Sequence, residues 1–401
     1  KMMEGVQMKR ILFSILVLIM IAFTGCDDGI TNYKNIDEII FARVLAIDKA
    51  NTDSNDVSIT AAYQVSTSGG SGDPSAKKKQ ADVITSEGKT LFDAVRNFNS
   101  FSDRKIFLGQ VDFILFSEDI AKDGLLKYID FFARYYEVNL NTDIFIVKNT
   151  TAKELLDTAV KNEYFVSKYL KSLLENSRYL SISSGVKLKD IIRSLDKSYI
   201  SPYLPSLRIK ESLNEDGEND IEMDGYAIFD GEKLIGYFTE KEARGFNWIT
   251  NKVISGVILV KGKDGKDISL EIHSSRTKIR PVFDNNNLAV TVSVDMSSNI
   301  SEQTSSEDIY NEQTLEYLKN QQEQIIKREI EKALALAKDK HTDVFGIGDI
   351  IYHKHPIKWQ GLENTWMEAF ANLKTDVEVA SDIKRTYITK QPTRSENIRN
   401  R

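Results

Sequence analysis

From Leu288 to Met296 the chain alternates strictly. Leu288, Val290, Val292, Val294 and Met296 are apolar, and Ala289, Thr291, Ser293 and Asp295 lie between them. That period predicts a strand with one dry and one wet face. The runs Ile39–Ile47 and Val57–Val65 are β-rich and separated by the turn-like 49–56, which predicts a hairpin. Other strands are predicted over 106–116, 142–147, 203–209, 221–229, 234–238, 254–260, 268–273, 276–283 and 375–383. A three-to-four spacing marks helices instead. Leu91, Ala94, Val95 and Phe98 share one face over 90–98, and Leu125, Ile129, Phe132 and Tyr136 share one over 120–136. Further helices are predicted over 151–160, 164–174, 188–195, 240–249 and 366–373. The longest runs from a cap at Ser305 or Ser306 to about Lys340. Its stripe is Leu315, Leu318, Ile325, Ile326, Ile330, Ala333, Leu334 and Ala337, with Glu323 and Lys327 as a supporting pair.

This mixture predicts a mixed α/β (α+β) fold in three unlike domains, each a mostly antiparallel or mixed sheet packed with helices. The boundaries fall at 33–198, 199–251 and 252–392, with a tail over 393–401. Residues 66–79 are rich in Gly, Ser and Lys and read as a mobile loop.

The N-terminus follows another logic. Lys9-Arg10 precedes an uncharged, almost wholly apolar run from Ile11 to Phe23, and Thr24-Gly25-Cys26 follows. The run is short of the roughly 20 residues a spanning helix needs, so 1–25 reads as a signal peptide. The sequence contains a single cysteine, so internal disulfides and multi-thiolate zinc sites are excluded. Small residues before a lone Cys resemble the lipobox of bacterial lipoproteins, in which the thiol takes diacylglycerol and the leader is cut before it. Cys26 is then the lipidation site and 26–32 the tether. An uncleaved N-terminal anchor is the other reading.

Charge narrows the partners. The chain of 401 residues has 53 Lys and Arg against 59 Asp and Glu, a net charge of -6. That excludes a nucleic-acid binder working through bulk positive charge. Removing Lys1, Glu4, Lys9 and Arg10 leaves 50 cations against 58 anions, so the membrane anchor predicted is the acyl chains, not lipid charge.

Motifs for chemistry are incomplete. Gly88-Lys89-Thr90 is similar to the end of a phosphate loop, but Val83 stands where the earlier glycine belongs, so it reads as a turn and helix cap. Phe345-Gly346-Ile347-Gly348 lacks a third glycine and reads as a stop after the long helix. His353 and His355 share one side if extended, with His341 or Asp349 as a third metal ligand; loop histidines ahead of Pro356 are the alternative. No Ser-His-Asp set, paired catalytic carboxylates or free Cys nucleophile is identified. Trp248, Trp359 and Trp366 read as core or junction residues, with a partner-anchoring role left open. The polar face of the long helix, including Gln321, Gln322 and Arg328, is a candidate partner contact.

Three segments, in order, carry a resemblance. The first is Ser86-Glu87-Gly88-Lys89-Thr90-Leu91-Phe92-Asp93-Ala94, with Arg104 to Gln110, Ser117 to Leu125 and Asp130 to Arg134. The second is Gly225 to Tyr237 with Glu242-Ala243-Arg244-Gly245 and Trp248. The third is Asp343 to Gly348 with Trp359, Trp366 and Phe370. Together they resemble the GerC-type (Ger(x)C) spore germination lipoproteins over nearly the whole chain after Cys26. The resemblance implies the C subunit of a nutrient germinant receptor. Its partners would be two integral membrane subunits, A and B, and its place the outer surface of the spore inner membrane. It implies no enzymatic activity and no cofactor. A lipid-anchored solute-binding protein serving a transporter is the rival reading, and it requires two similar lobes about one cleft. An envelope hydrolase is a third, requiring a cleft with a competent acid or nucleophile.

Overall fold

The computed structural model describes residues 13, 15, 38–50, 56–65, 81–162, 165–212, 217, 219–284, 287–305, 308–309 and 311–384. Cys26, the leader, the tether, the 66–79 loop and the tail lie outside them.

Strands β1 (Ile39–Lys49) and β2 (Val57–Gln64) pair antiparallel with Ile47 opposite Ile59, as the hairpin pattern predicts. β3 (Ala81–Gly88), which the pattern does not mark, adds beside β2. The predicted strand over 106–116 is two, β4 (Lys105–Phe107) and β5 (Phe113–Ser117), because a turn closed by the Val111 N–H on the Leu108 carbonyl interrupts it. β1, β5, β6 (Asp143–Val147) and β7 (Tyr203–Lys210) run parallel at the centre of the sheet. Such strands are covered on both faces. Val44, Phe113, Leu115, Phe145 and Val147 point into one apolar cluster. Leu45, Ile47, Ile114, Phe116 and Ile146 point into another.

Helices cover those faces. The second cluster takes α1 (Leu91–Asn97), α2 (Glu118–Asp123), α3 (Leu126–Arg134) and α6 (Leu188–Leu195); the first takes α4 (Ala152–Asn162) and α5 (Val166–Tyr179). The one helix predicted over 120–136 is α2 and α3. Gly124 breaks it at φ 128, a backbone only glycine adopts freely. Tyr136, placed on its buried stripe by spacing, lies past the helix end and is 84% exposed.

β8 (Asp220–Asp230) and β9 (Lys233–Phe238) extend the same sheet antiparallel from β7, giving the order β3-β2-β1-β5-β6-β7-β8-β9 with β4 beside β1. The hydrogen bonding therefore does not follow a boundary at 198/199. The three strands predicted for a separate middle unit continue the first sheet, because β6 leaves an edge that β7 pairs.

The second sheet is β10 (Val257–Lys261), β11 (Asp267–Asp284), β12 (Asn287–Gln303) and β13 (Lys374–Lys384). β11 joins the two strands predicted at 268–273 and 276–283, carrying a register shift at the join. Val290, Val292, Val294 and Met296 are buried as their alternation predicts. Helix α8 (Glu312–Asp339) links β12 to the parallel β13 and buries Leu318, Ile326, Ile330, Ala333, Leu334 and Ala337. Its cap is Asn311, which accepts from the Gln313 N–H at 2.8 Å. Ser305 is buried ahead of it, and Ser306 lies outside the described residues. Glu323 takes the Ser381 N–H and hydroxyl at 2.9 Å rather than Lys327.

α7 (Glu240–Ile249) lies between the sheets, and Phe246 and Trp248 join β8, β9, the second sheet and α8 in one core. Helices α9 (Ile347–Lys354) and α10 (Pro356–Trp359), absent from the predicted elements, and α11 (Trp366–Ala371) complete it. Gly346 reads as a stop but opens α9 as its N-cap, and Pro356, read as following a loop, is the first residue of α10. The described residues from Ile40 onward form one compact unit.

Candidate functional site

Open α/β sheets commonly hold ligands beyond the carboxyl ends of their parallel strands. Here that position is filled by the chain itself. Asp48, near the end of β1, accepts from the N–H groups of Ala152 at 2.7 Å and Lys153 at 2.9 Å, at the start of α4. Burial pushes its carboxyl up, and those donors oppose the shift. Glu118 takes the Asn149 N–H at 3.1 Å and pairs with Lys122 at 2.7 Å. A helix start that would suit an anion thus already holds a carboxylate. The Gly88-Lys89-Thr90 segment is a cap: Thr90 accepts from the Asp93 N–H at 3.1 Å, and Asp93 accepts from the Lys89 N–H at 3.0 Å.

The amino ends of β5 and β6 border a cleft of about 970 Å³. Arg43 pairs with Asp112 at 2.6 Å and donates to Gln110 at 3.3 Å. Ser167 also donates to Asp112. Lys187 pairs with Asp143 at 2.5 Å, and burial raises the Asp143 carboxyl. Lys168, Lys171, Glu175 and Arg178 of α5 form another wall. No histidine or cysteine is among the described lining residues, and Asp112 and Asp143 are already paired to cations. The residues come from separate elements, so no local motif marks them.

The second and third of the segments that carry the resemblance converge on the junction between the two sheets. Asp343 is wholly buried and accepts from the Ile347 N–H at 3.0 Å, the Gly348 N–H at 2.6 Å and the Trp366 indole N–H at 3.0 Å. Burial outweighs these donors and pushes its carboxyl up to about 6. Its carbonyl receives the Ser201 N–H at 3.1 Å, tying the motif to the chain entering β7. On α7, Arg244 donates through Nε to Glu329 of α8 at 2.8 Å, with a second bond from Nη2, and Trp248 donates to Glu329 at 3.2 Å. Gly245 lies so close to α8 that a Cβ would come within 2.0 Å of the Glu329 carbonyl oxygen. Tyr226 of β8 donates to Asn247 at 2.7 Å, and Asn247 donates to the Ser181 carbonyl at 2.7 Å.

Trp248, Trp359 and Trp366 are all buried, so the core reading holds and the anchoring one does not. The long helix presents less polar surface than its sequence implies. Gln322 is buried and accepts from Ser298 at 2.9 Å. Gln321 bonds the backbone of Lys261 through both its amide atoms, at 2.6 and 3.2 Å. The histidines are not brought together. His353 sits on α9, 3.6 Å from Asp349; His355 meets the Phe283 ring; His341 lies against the Asp339 carbonyl. Among the described residues no group of three His, Cys, Asp or Glu is placed to hold a metal. Nor is any helix among them long and apolar enough to cross a membrane.

A smaller groove of about 460 Å³ separates α1 from α3. Phe92, Phe131, Tyr135 and Tyr136 line it with Arg96, Lys105, Lys127 and Arg134. Burial pushes the Tyr135 hydroxyl up to about 12. Phe92 falls off the buried face of Leu91, Ala94 and Val95, a signal legible in the sequence, whereas Tyr136 continues a buried stripe by spacing and is exposed because α3 ends at Arg134.

Comparison with known proteins covers the same span. The family model "Spore germination protein N-terminal domain" matches residues 32–209, and "Spore germination B3/ GerAC like, C-terminal" matches 224–387. The chain is 21% identical to spore germination protein KC of Bacillus subtilis (strain 168), covering 96% of this chain and 97% of that one. It is 25% identical to spore germination protein B3 of the same organism, covering 92% and 96%. It is 25% identical to spore germination protein GerQC of Bacillus cereus, covering 94% and 98%. The crystal structure of the GerBC protein superposes with a TM-score of 0.53 at 19% identity, covering 87% of this chain and 99% of that one. The mixed α+β fold is therefore shared with GerBC.

Proposed function

We propose, from the premise that this chain belongs to the GerC-type family of spore germination proteins, that it acts without catalysis as the lipid-anchored C subunit of a nutrient germinant receptor. It works by contact with the integral membrane A and B subunits, at the outer surface of the spore inner membrane. Cys26 carries the lipid. One observation carries the reading: Thr90, Gly245, Trp248, Asp343 and Trp366, all residues of the family motifs, serve a helix cap, a close helix approach and buried networks. What they maintain is a shaped body, and a body without assembled chemistry works through its surface.

Two acyl chains anchor a protein stably where one is marginal. Cys26→Ala is expected to move the protein from the membrane to the soluble fraction; a variant that stays fully membrane-bound refutes the anchor. Deletion of the gene is expected to impair nutrient-triggered germination and spare triggers that bypass the receptor. Co-purification of the native protein with A and B subunits from spore membranes tests the partnership directly.

The solute-binding rival has one observation on its side, the 970 Å³ cleft. That cleft is bordered mainly by one sheet and its helices, not by two similar lobes.

A further inference from the structure

We infer that the groove between α1 and α3 is the face on which the body rests against anionic lipid headgroups. The inference builds on the lipid-anchored reading of Cys26.

The groove differs in charge from the molecule that bears it. Arg96, Lys105, Lys127 and Arg134 line it with one carboxylate, Asp130. Arg134 holds both Asp130 oxygens at 2.9 Å. A second carboxylate, Glu137, is buried behind the rim, 3.8 Å from Lys105, and accepts from the Tyr136 hydroxyl at 3.0 Å. Arg96 lies over the Phe92 ring at 5.1 Å and Lys127 over the Tyr128 ring at 4.8 Å. Among the described residues neither pairs with a carboxylate. Four cations against two acids thus mark this face of a chain whose net charge is -6.

The apolar part of the groove has the character of an interface. Phe92 is 49% exposed and Tyr136 84%. Exposed aromatic rings interleaved with Lys and Arg are the composition that settles at the headgroup level of a bilayer.

The chain's own path supports the same face. Twelve residues separate Cys26 from Ile39, where β1 begins; fully extended they reach at most about 40 Å. Phe41 of β1 meets the Phe107 ring of β4 at 5.9 Å, and β4 supplies Lys105 and Ile106 to the groove. The chain therefore enters the body beside this basic, aromatic face. Each basic residue held near an anionic surface strengthens association about fivefold, so a modest patch is enough to orient a body already tethered.

The test uses Tyr136→Trp in the full lipidated chain. Trp248, Trp359 and Trp366 are buried, so the new indole is the exposed reporter. The protein is mixed with vesicles of brominated phosphatidylcholine, alone or with equimolar phosphatidylglycerol. Strong quenching with phosphatidylglycerol is expected, weakened by high salt. Adding Arg96→Glu and Lys127→Glu is expected to weaken docking by at least about twenty-five-fold while flotation and melting temperature stay as in the parent. Protein that floats but shows no quenching above the phosphatidylcholine level overturns the inference and leaves the anchor standing. So does emission that shifts only when A and B subunits are present, which assigns the groove to a protein contact. Failure to float at all refutes the anchor instead.

Discussion

Asp343 sets the pH response of the junction. Burial outweighs the N–H donors around its carboxyl and pushes it up from the ordinary 3.8 to about 6 in the folded protein. The folded state then binds more protons than the unfolded state between those values, so this residue's contribution is fully present below about 4. It is lost as pH rises through 6. The stability of the wild type relative to Asp343→Asn is therefore expected to fall from pH 4 to pH 6, read by denaturant titration at each pH. A flat difference would refute the assignment. Gly245 makes a second residue-scale prediction. A methyl group there meets the Glu329 carbonyl oxygen at 2.0 Å, so Gly245→Ala forces α7 off α8. It is expected to cost about 1–3 kcal/mol, seen as a lower unfolding midpoint.

The contact between α7 and α8 is more than steric. Glu329 is buried and accepts from Arg244 and from the Trp248 indole. Removing Glu329 leaves the Trp248 N–H buried without its acceptor and Arg244, partly exposed and still bonded to the Val257 carbonyl, without its carboxylate, at a cost of about 1–3 kcal/mol. Glu329→Met is expected to lose that much. Arg244→Met with Glu329→Met is expected to recover part of it, since the charge is gone while the Trp248 N–H still lacks its acceptor. At this scale the sequence is legible where the apolar period runs unbroken through one element. Leu188–Leu195 and Glu240–Ile249 fall at their predicted bounds, and β12 shows its alternation. It misleads where a punctuating residue has a tertiary use. Gly346 starts a helix because Asp343 accepts from the Ile347 and Gly348 N–H groups just past it, and Pro356 because the first helical position needs no N–H donor. Gly109 and Gly124 break elements whose apolar spacing runs on unchanged. The junction residues were visible as motifs, but their roles needed partners from β7, α7 and α8. The two surface hollows were largely illegible, because each gathers residues from several elements that only the tertiary fold brings together.

Across the whole molecule, β8 ties the two sheets together. Tyr226 and Ile228 point into the core shared with the second sheet, and Ala227 and Phe229 into the cluster beneath α1 to α3. Phe246 of α7 meets Tyr226 at 4.8 Å, Phe238 at 5.7 Å and Phe345 at 5.8 Å. Phe246→Ala removes a fully buried ring, at a cost of about 3–5 kcal/mol. It is expected to speed hydrogen exchange in β8 and β9 and in β11 and β12 together; faster exchange confined to one sheet would show that the halves open independently. The shared strand also limits how such a chain can be divided. A cut placed at the seam between the two matched domains, near residues 210–223, would strip β8 and β9 from the first half and leave β7 with a raw edge. Fragments made there should clump, whereas a division that leaves β8 and β9 with the first half would spare β7 and bare the second sheet's core instead. For this architecture there is no clean place for the scissors.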